Sequence, residues 1–427
     1  MLEEHWDNPG TVSDRVAPAE GQPHTNDRHP GGLKIALFIH GFLVGKGGAE
    51  KVAAQLANVL VESGMKADII CRRPFGEPPV YDLDERVRLR ILTDIKDASI
   101  RTLKDEHYDL LIGFGMRGSY ERIPQIAEIL DVPFIIQECN NPGFITQLLS
   151  ASDLCRDWND GLWLRQGILA HAAGVRLTVP DYAESIAGDI KPFTYAFYNA
   201  FTLPRQSAPC TDSTERKKFI CVGAMKNEIK NGMAAVEAFC RYSAHDPDAS
   251  LFLYGDNHYQ AAVARLRETY PMASVVDCGF VNDMDEVYGD AYAMIIPSYT
   301  EGLPSVVIEA FSYGVPCIGY SDCDGVRHII RDGETGLLID RKDPDGLVEA
   351  LRKIADPDFH RVLSDNAKRF ADENLSYAQW RANWLRMIDN VVNQCNSEAQ
   401  PQLPVAYDRA HPRSQHWRNL LRTFLVS

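Results

Sequence analysis

Two successive runs of short apolar strands alternating with helical patterns, parted by a polar break, limit what this chain can fold into more than any single motif in it. The first run opens at Leu33-Lys34-Ile35-Ala36-Leu37-Phe38-Ile39, an apolar stretch of strand length. A glycine-rich loop follows, then a helical pattern with Val52, Leu56, Val59 and Leu60 on one face, then a strand pattern over residues 67–71. Strand, loop, helix and strand in this order build a parallel sheet covered by helices. Strand patterns return at 110–114, 132–136 and 174–179, so a first Rossmann-like domain is expected over residues 33–204.

The break lies near Pro204 to Ser213 and suits a hinge. Beyond it the alternation restarts: strand 218–223, helix 233–242, strand 250–254, helix 259–269, strand 275–278, helix 284–288 and strand 293–297. A second Rossmann-like domain is expected over 205–375. A helix is expected over 376–396, where Trp380, Trp384, Met387, Ile388 and Val391 form one face, and a tail over 397–427. The chain's 427 residues fit two domains of roughly 150–200 residues each. Residues 1–32 carry no periodicity and predict a disordered tail.

Composition removes several functional classes. Hydrophobic residues at 45% and charged residues at 24% give each domain a core, and a net charge of −15 argues against nucleic acid as a partner. Ten cysteines stand without a Cys-x-x-Cys pair or zinc spacing, which predicts reduced thiols and no metal. No apolar run reaches membrane-spanning length and the N-terminus is unlike a signal peptide, so a cytoplasmic location is expected.

The chemistry concentrates in Glu301-Gly302-Leu303-Pro304-Ser305-Val306-Val307-Ile308-Glu309. A helix starting near Pro304 or Ser305 would offer the free N–H groups of Gly302, Leu303 and their neighbours to an anionic phosphate. Glu309, one turn further in, could accept hydrogen bonds from paired hydroxyls such as those of a ribose. Glu301 could reach a sugar ring or a developing positive charge. Spacing alone also allows a solvated loop charge and an ordinary helix-surface glutamate.

The flanking residues favour the first reading. Glu-Gly-Leu-Pro, followed by Glu-Ala-Phe-Ser-Tyr-Gly-Val-Pro-Cys-Ile at 309–318, resembles the donor-nucleotide motif of the retaining group 1 glycosyltransferases, which have the GT-B fold. Asp324-Gly325-Val326 and residues 329–338 look like that family's next strand and hairpin. The resemblance covers about 33–395 and is most specific over 218–340. It implies an α/β fold of two Rossmann-like domains facing across a cleft, with the closing helix crossing back to the first. It implies transfer of a hexosyl or N-acetylhexosaminyl group, with retention, from a nucleoside-diphosphate sugar such as a UDP-sugar. The acceptor would be a hydroxyl of a sugar-containing molecule, such as a lipid-linked one, in polysaccharide, glycolipid or glycoconjugate synthesis. No cofactor beyond the donor is implied. A sugar-nucleotide epimerase or phosphorylase of the same fold, or a catalytically silent nucleotide-sugar binding partner, stay open as alternatives.

Carried over residue by residue, the resemblance makes Glu301 the donor-sugar contact, Glu309 the ribose contact and Lys230 the diphosphate contact, with Gly302, Leu303 and Pro304 lining the donor. Gly223, Gly255, Phe280 and Val281 would lie at strand ends against the nucleotide. The family usually presents an arginine where this chain has Ala224; Lys226 offers a single charge in its place. On the acceptor side stand His40 and the loop with Gly47, Gly48 and Glu50. Glu138 stands there too, in a Gln-Glu-Cys-Asn-Asn-Pro stretch that looks like an acceptor loop, though capping is an equal reading for Asn140 and Asn141. Trp417, Leu420, Leu421, Phe424 and Leu425 make an amphipathic basic helix of the tail. It suits either peripheral contact with an anionic inner membrane face or docking on protein.

Overall fold

The computed structural model describes residues 32–42, 47–72, 81–116, 120–151, 155–188, 190–200, 217–225, 227–281 and 283–396. The tails, the break near 204–213, the amphipathic 416–425 segment and Lys226 lie outside the described residues.

The first sheet has seven parallel strands in the order β3-β2-β1-β4-β5-β6-β7. They are β1 (Lys34–Phe38), β2 (Lys66–Arg72), β3 (Arg88–Leu92), β4 (Leu110–Gly115), β5 (Phe134–Glu138), β6 (Gly174–Leu177) and β7 (Thr194–Ala196). The central strands are buried on both faces, as near-continuous apolar runs require: all of β4, Leu-Leu-Ile-Gly-Phe-Gly, is inside. The edge strands β3 and β7 have no such run, being Arg-Leu-Arg-Ile-Leu and Thr-Tyr-Ala with partial exposure, so the sequence pattern does not announce them. Helices α1 (Gly48–Glu62), α2 (Asp97–Arg101), α3 (Arg122–Leu130), α4 (Pro142–Ser150) and α5 (Trp158–His171) connect the strands.

The second sheet has six parallel strands in the order β10-β9-β8-β11-β12-β13. These are β8 (Lys218–Val222), β9 (Ser250–Tyr254), β10 (Ser274–Gly279), β11 (Ala293–Ile296), β12 (Cys317–Tyr320) and β13 (Gly336–Ile339). Its helices are α6 (Gly232–Tyr242), α7 (Gln260–Thr269), α8 (Met284–Tyr288), α9 (Ser305–Ser312), α10 (Asp324–Arg327), α11 (Gly346–Ile354) and α12 (Pro357–Asn374). The hairpin expected at 329–338 is absent. Asp324–Arg327 is a short helix, and β13 pairs parallel to β12 after a turn in which Gly333 has φ +71.

Helix α13 (Tyr377–Asn396) returns to the first domain. Trp384 meets Phe197 edge-on at 5.8 Å, Arg381 donates to Ser63 Oγ at 3.0 Å, and the Arg176 guanidinium lies over the Phe197 ring at 4.5 Å. In both sheets the strand order reverses beside the first strand, between β1 and β4 and between β8 and β11. Ligands of open α/β sheets sit outside the carboxyl ends of the strands at such reversals. The loops after β1, β8 and β11 carry His40, Lys230 and Glu301.

Candidate functional site

Strand β11 delivers its chain to the cleft through Pro297 and Ser298, and α9 begins at Ser305 with Pro304 before it. Proline fits this place because its missing N–H has no partner to lose at a helix start. Glu301 accepts from Lys230 Nζ at 2.6 Å, an ion pair between the loop after β11 and the loop after β8. Glu309, on the first turns of α9, accepts from the Tyr288 hydroxyl at 2.9 Å and pairs with Lys51 Nζ of the first domain at 2.6 Å. Burial, and then the Glu309 charge, hold the Tyr288 phenol well above its ordinary range, so it stays a donor. The two glutamates read from the sequence thus share one wall, each with its own lysine. Lys51 and Tyr288 were not signalled by any motif.

The domains touch at this wall. A Cβ on Gly302 would stand 2.5 Å from the Cys139 carbonyl oxygen and 2.6 Å from Asn140 Cα, so only glycine fits there. A Cβ on Gly48 would meet Ser305 Oγ at 2.0 Å. Tyr182 donates to the Gly302 carbonyl at 2.6 Å, and Asn141 Nδ2 donates to Thr300 Oγ1 at 2.8 Å and to the Glu301 carbonyl at 3.3 Å. The other end of the Asn141 amide caps α4 by accepting from Phe144 N at 2.8 Å. Asn141 is therefore both a cap and an interdomain clasp.

The remaining sequence candidates fall into distinct places. Gly223, Gly255 and Gly279 end three neighbouring strands at φ +147, +111 and +63. A Cβ on Gly255 would meet the Gly223 carbonyl at 2.1 Å, which leaves a floor of bare backbone under the cleft. Phe280 is exposed beside that floor and Val281 half-buried, while Leu303 and Pro304 are buried. Ala224 is exposed. Gly47 accepts from the Tyr81 hydroxyl at 2.9 Å at the start of α1. Glu50 is buried there, and burial pushes its carboxyl above the ordinary range despite backbone hydrogen bonds. His40 is half-buried; burial, then the Arg72 charge, lower its imidazole pKa.

Glu138 requires a correction. It was expected to orient an acceptor hydroxyl, but it has no exposed surface. Arg165 grips it at both oxygens, at 2.7 and 2.6 Å, and Tyr120 adds a hydroxyl at 2.6 Å. The alternation along β5 explains this, because Glu138 points into the helix layer rather than the cleft. No cluster suited to a metal ion occurs among the described residues, and their nine cysteines are free thiols. The same residues include no helix long and apolar enough to cross a membrane.

A cavity of about 710 Å³ opens at the opposite, amino-terminal end of the first sheet, around Lys34, Asp68 and Arg88. Its charges satisfy one another: Asp68 accepts from Arg88, Arg90 and Tyr108. That end of a parallel sheet is not where these folds bind ligands.

Comparison with known proteins agrees with this layout. Over 84% of this chain and 99% of the other, the structure superposes on sucrose-phosphate synthase from Thermosynechococcus elongatus with TM-score 0.65 at 19% identity. Anabaena HepE, solved in complex with UDP and glucose, superposes over the same shares with TM-score 0.65 at 14% identity. The fold is GT-B. Poly(glycerol-phosphate) alpha-glucosyltransferase of Bacillus subtilis (strain 168) is 24% identical over 211 residues, 48% of this chain and 31% of that protein. The GalNAc-alpha-(1->4)-GalNAc-alpha-(1->3)-diNAcBac-PP-undecaprenol alpha-1,4-N-acetyl-D-galactosaminyltransferase of Campylobacter jejuni is 32% identical over 117 residues, 27% of this chain and 32% of that one. The matches thus span about a third of the length of these two relatives. Residues 206–370 match the family model described as Glycosyl transferases group 1.

Proposed function

We propose that this protein is a retaining glycosyltransferase that moves a hexosyl or N-acetylhexosaminyl group from a nucleoside-diphosphate sugar to an acceptor hydroxyl. The observation that carries the reading is the pair of glutamates on one loop and helix start, set at the switch point of the second sheet, with Lys51 of the first domain reaching Glu309. UDP is the nucleotide favoured, because structural relatives were solved with it. Polysaccharide or glycolipid synthesis is the setting favoured by the names of the curated relatives.

The ribose hydroxyls would take the place at Glu309 now filled by the Lys51 ammonium. The diphosphate would lie at the start of α9, over the glycine floor, with Lys230 turning from Glu301 to its charge. Glu301 would then face the donor sugar. The bond from the anomeric carbon to the diphosphate breaks, the acceptor oxygen bonds that carbon on the same face, and the acceptor proton passes to the departing phosphate oxygen. No enzyme nucleophile takes part. The domains approach closely at Gly302 and Gly48, and such a seam would limit the access of water to a reactive donor.

The test is thermal denaturation of the full chain with UDP-, GDP- and ADP-sugars. One nucleotide series stabilises the wild type and leaves Glu309→Ala unmoved if Glu309 holds the ribose. Release of free nucleoside diphosphate only with an acceptor present then separates transfer from epimerisation and from silent binding. No stabilisation by any nucleotide sugar would sink the donor site.

A further inference from the structure

We infer that the groove between α4 and the loops after β11 and β12 seats an uncharged sugar unit of the acceptor, an inference that rests on the glycosyl-transfer reading above. The groove is a cavity of about 410 Å³, within the roughly 300–1,000 Å³ of small-ligand sites. Its place is what a second substrate needs. Thr300 and Ile229 in its wall are the neighbours in sequence of Glu301 and Lys230, and Asn141, also in the wall, bonds to Thr300 and to the Glu301 carbonyl. A ligand here lies next to the donor-sugar end of the cleft, while Glu309 and Tyr288 mark the ribose end.

The lining also states a chemistry. Phe144 comes from the first domain and Tyr299 from the second; Tyr299 is 43% exposed, a large aromatic surface with no partner from the fold on that side. Arg341 holds it from behind, with its guanidinium 4.7 Å from the ring centre, while donating to the Tyr299 carbonyl at 3.1 Å and to Asp322 Oδ1 at 2.8 Å. Arg327 fixes Asp324 in the same way, at 3.0 Å. Neither arginine lines the groove, whereas Asp322 and Asp324 do. Fixed carboxylates accept from hydroxyl groups, the lining offers a phosphate no cationic donor, and aromatic faces cover the apolar face of a pyranose. The groove is thus built for a neutral sugar and against a phosphodiester or sugar-phosphate.

The inference is tested by saturation-transfer NMR on the full chain with UDP present. Methyl glycosides of glucose, galactose and N-acetylglucosamine serve as neutral probes and glycerol 3-phosphate as the anionic one. At least one methyl glycoside binds, glycerol 3-phosphate does not, and Tyr299→Ala weakens the glycoside fivefold or more. The combined Asp322→Asn and Asp324→Asn variant does the same; if it fails to fold, Tyr299→Ala decides alone. Absence of glycoside binding, glycoside binding unchanged in the variants, or tighter binding of glycerol 3-phosphate would each overturn the assignment. Where the wild type is still stabilised by a nucleotide sugar, such a result fells the groove alone; where it is not, both readings fall.

Discussion

Glu138 and Glu301 show how far a residue's type can be separated from its role. Both are glutamates at or beyond the carboxyl end of a buried strand, and both were read as sugar contacts, yet one is enclosed by Arg165 and Tyr120 while the other pairs with Lys230 in the loop before α9. Removing one member of a fully buried ion pair typically costs about 3–5 kcal/mol because the other charge is stranded. Glu138→Ala should therefore lower unfolding stability by about that amount in urea denaturation, since it strands Arg165. An acceptor contact would instead have changed an acceptor KM and left stability alone. His360 makes a second residue-scale prediction. It is buried, stacks on Tyr292 at 3.8 Å and bonds the Tyr292 carbonyl at 2.7 Å; burial above all, with the Lys217 charge adding, lowers its pKa. The native ring stays neutral where the unfolded chain already takes a proton. Stability present above the ordinary imidazole value of about 6.5 is thus lost as pH falls from there toward the lowered native value. In His360→Gln, the melting temperature should fall less between pH 7 and pH 5 than in the wild type. What the sequence could not carry at this scale was partnership: Lys51, Tyr288 and Asn141 acquire their roles from residues more than twenty positions away.

Elements were more legible than contacts, for a physical reason. A strand buried on both faces must be apolar throughout, so β1, β4, β8 and β11 stand out in sequence, whereas the edge strands β3 and β7 are covered on fewer sides and tolerate Arg, Thr and Tyr. Helix α9 was legible from its proline and its apolar run. The segment from Asp324 to Ile339 was misread because its glycines suit a hairpin turn as well as a helix-to-strand turn, and strand direction is set by the sheet. The loop into α9 gives the sharpest element-scale test. A methyl at residue 302 would collide with backbone of the first domain, which no side-chain rotation relieves. Gly302→Ala should prop the domains apart, cut turnover tenfold or more and enlarge the radius of gyration in small-angle scattering. Its melting temperature should change little, because each domain keeps its own core. A large loss of stability with unchanged turnover would place Gly302 in the packing of its own loop instead.

At the scale of the molecule, two domains close across a seam where His328 Nδ1 meets Asp181 Oδ2 at 2.7 Å and where Lys51 is linked to Glu309. The Lys51 and Glu309 side chains are mostly shielded, at 20% and 11% exposure, so the pair is screened less than a surface one. The same carboxylate cannot give its full set of lone pairs to an ammonium and to a ribose diol at once. On the proposed ribose role of Glu309, the link favours closure without donor and opposes donor entry, and nucleotide binding would exchange one partner of Glu309 for another. Lys51→Met removes the competitor and retains much of the apolar stem. If the pair contributes about 1 kcal/mol, the upper end for partly exposed pairs, the variant should bind the nucleotide sugar about fivefold more tightly. Its donor-free form should also scatter as a more open molecule. Added salt should bring the wild type toward the variant and move the variant less. Weaker donor binding in Lys51→Met would reverse the assignment: the ammonium would then be a ligand of the donor, and closure would have to be held by Tyr182, Asn141 and the glycine contacts.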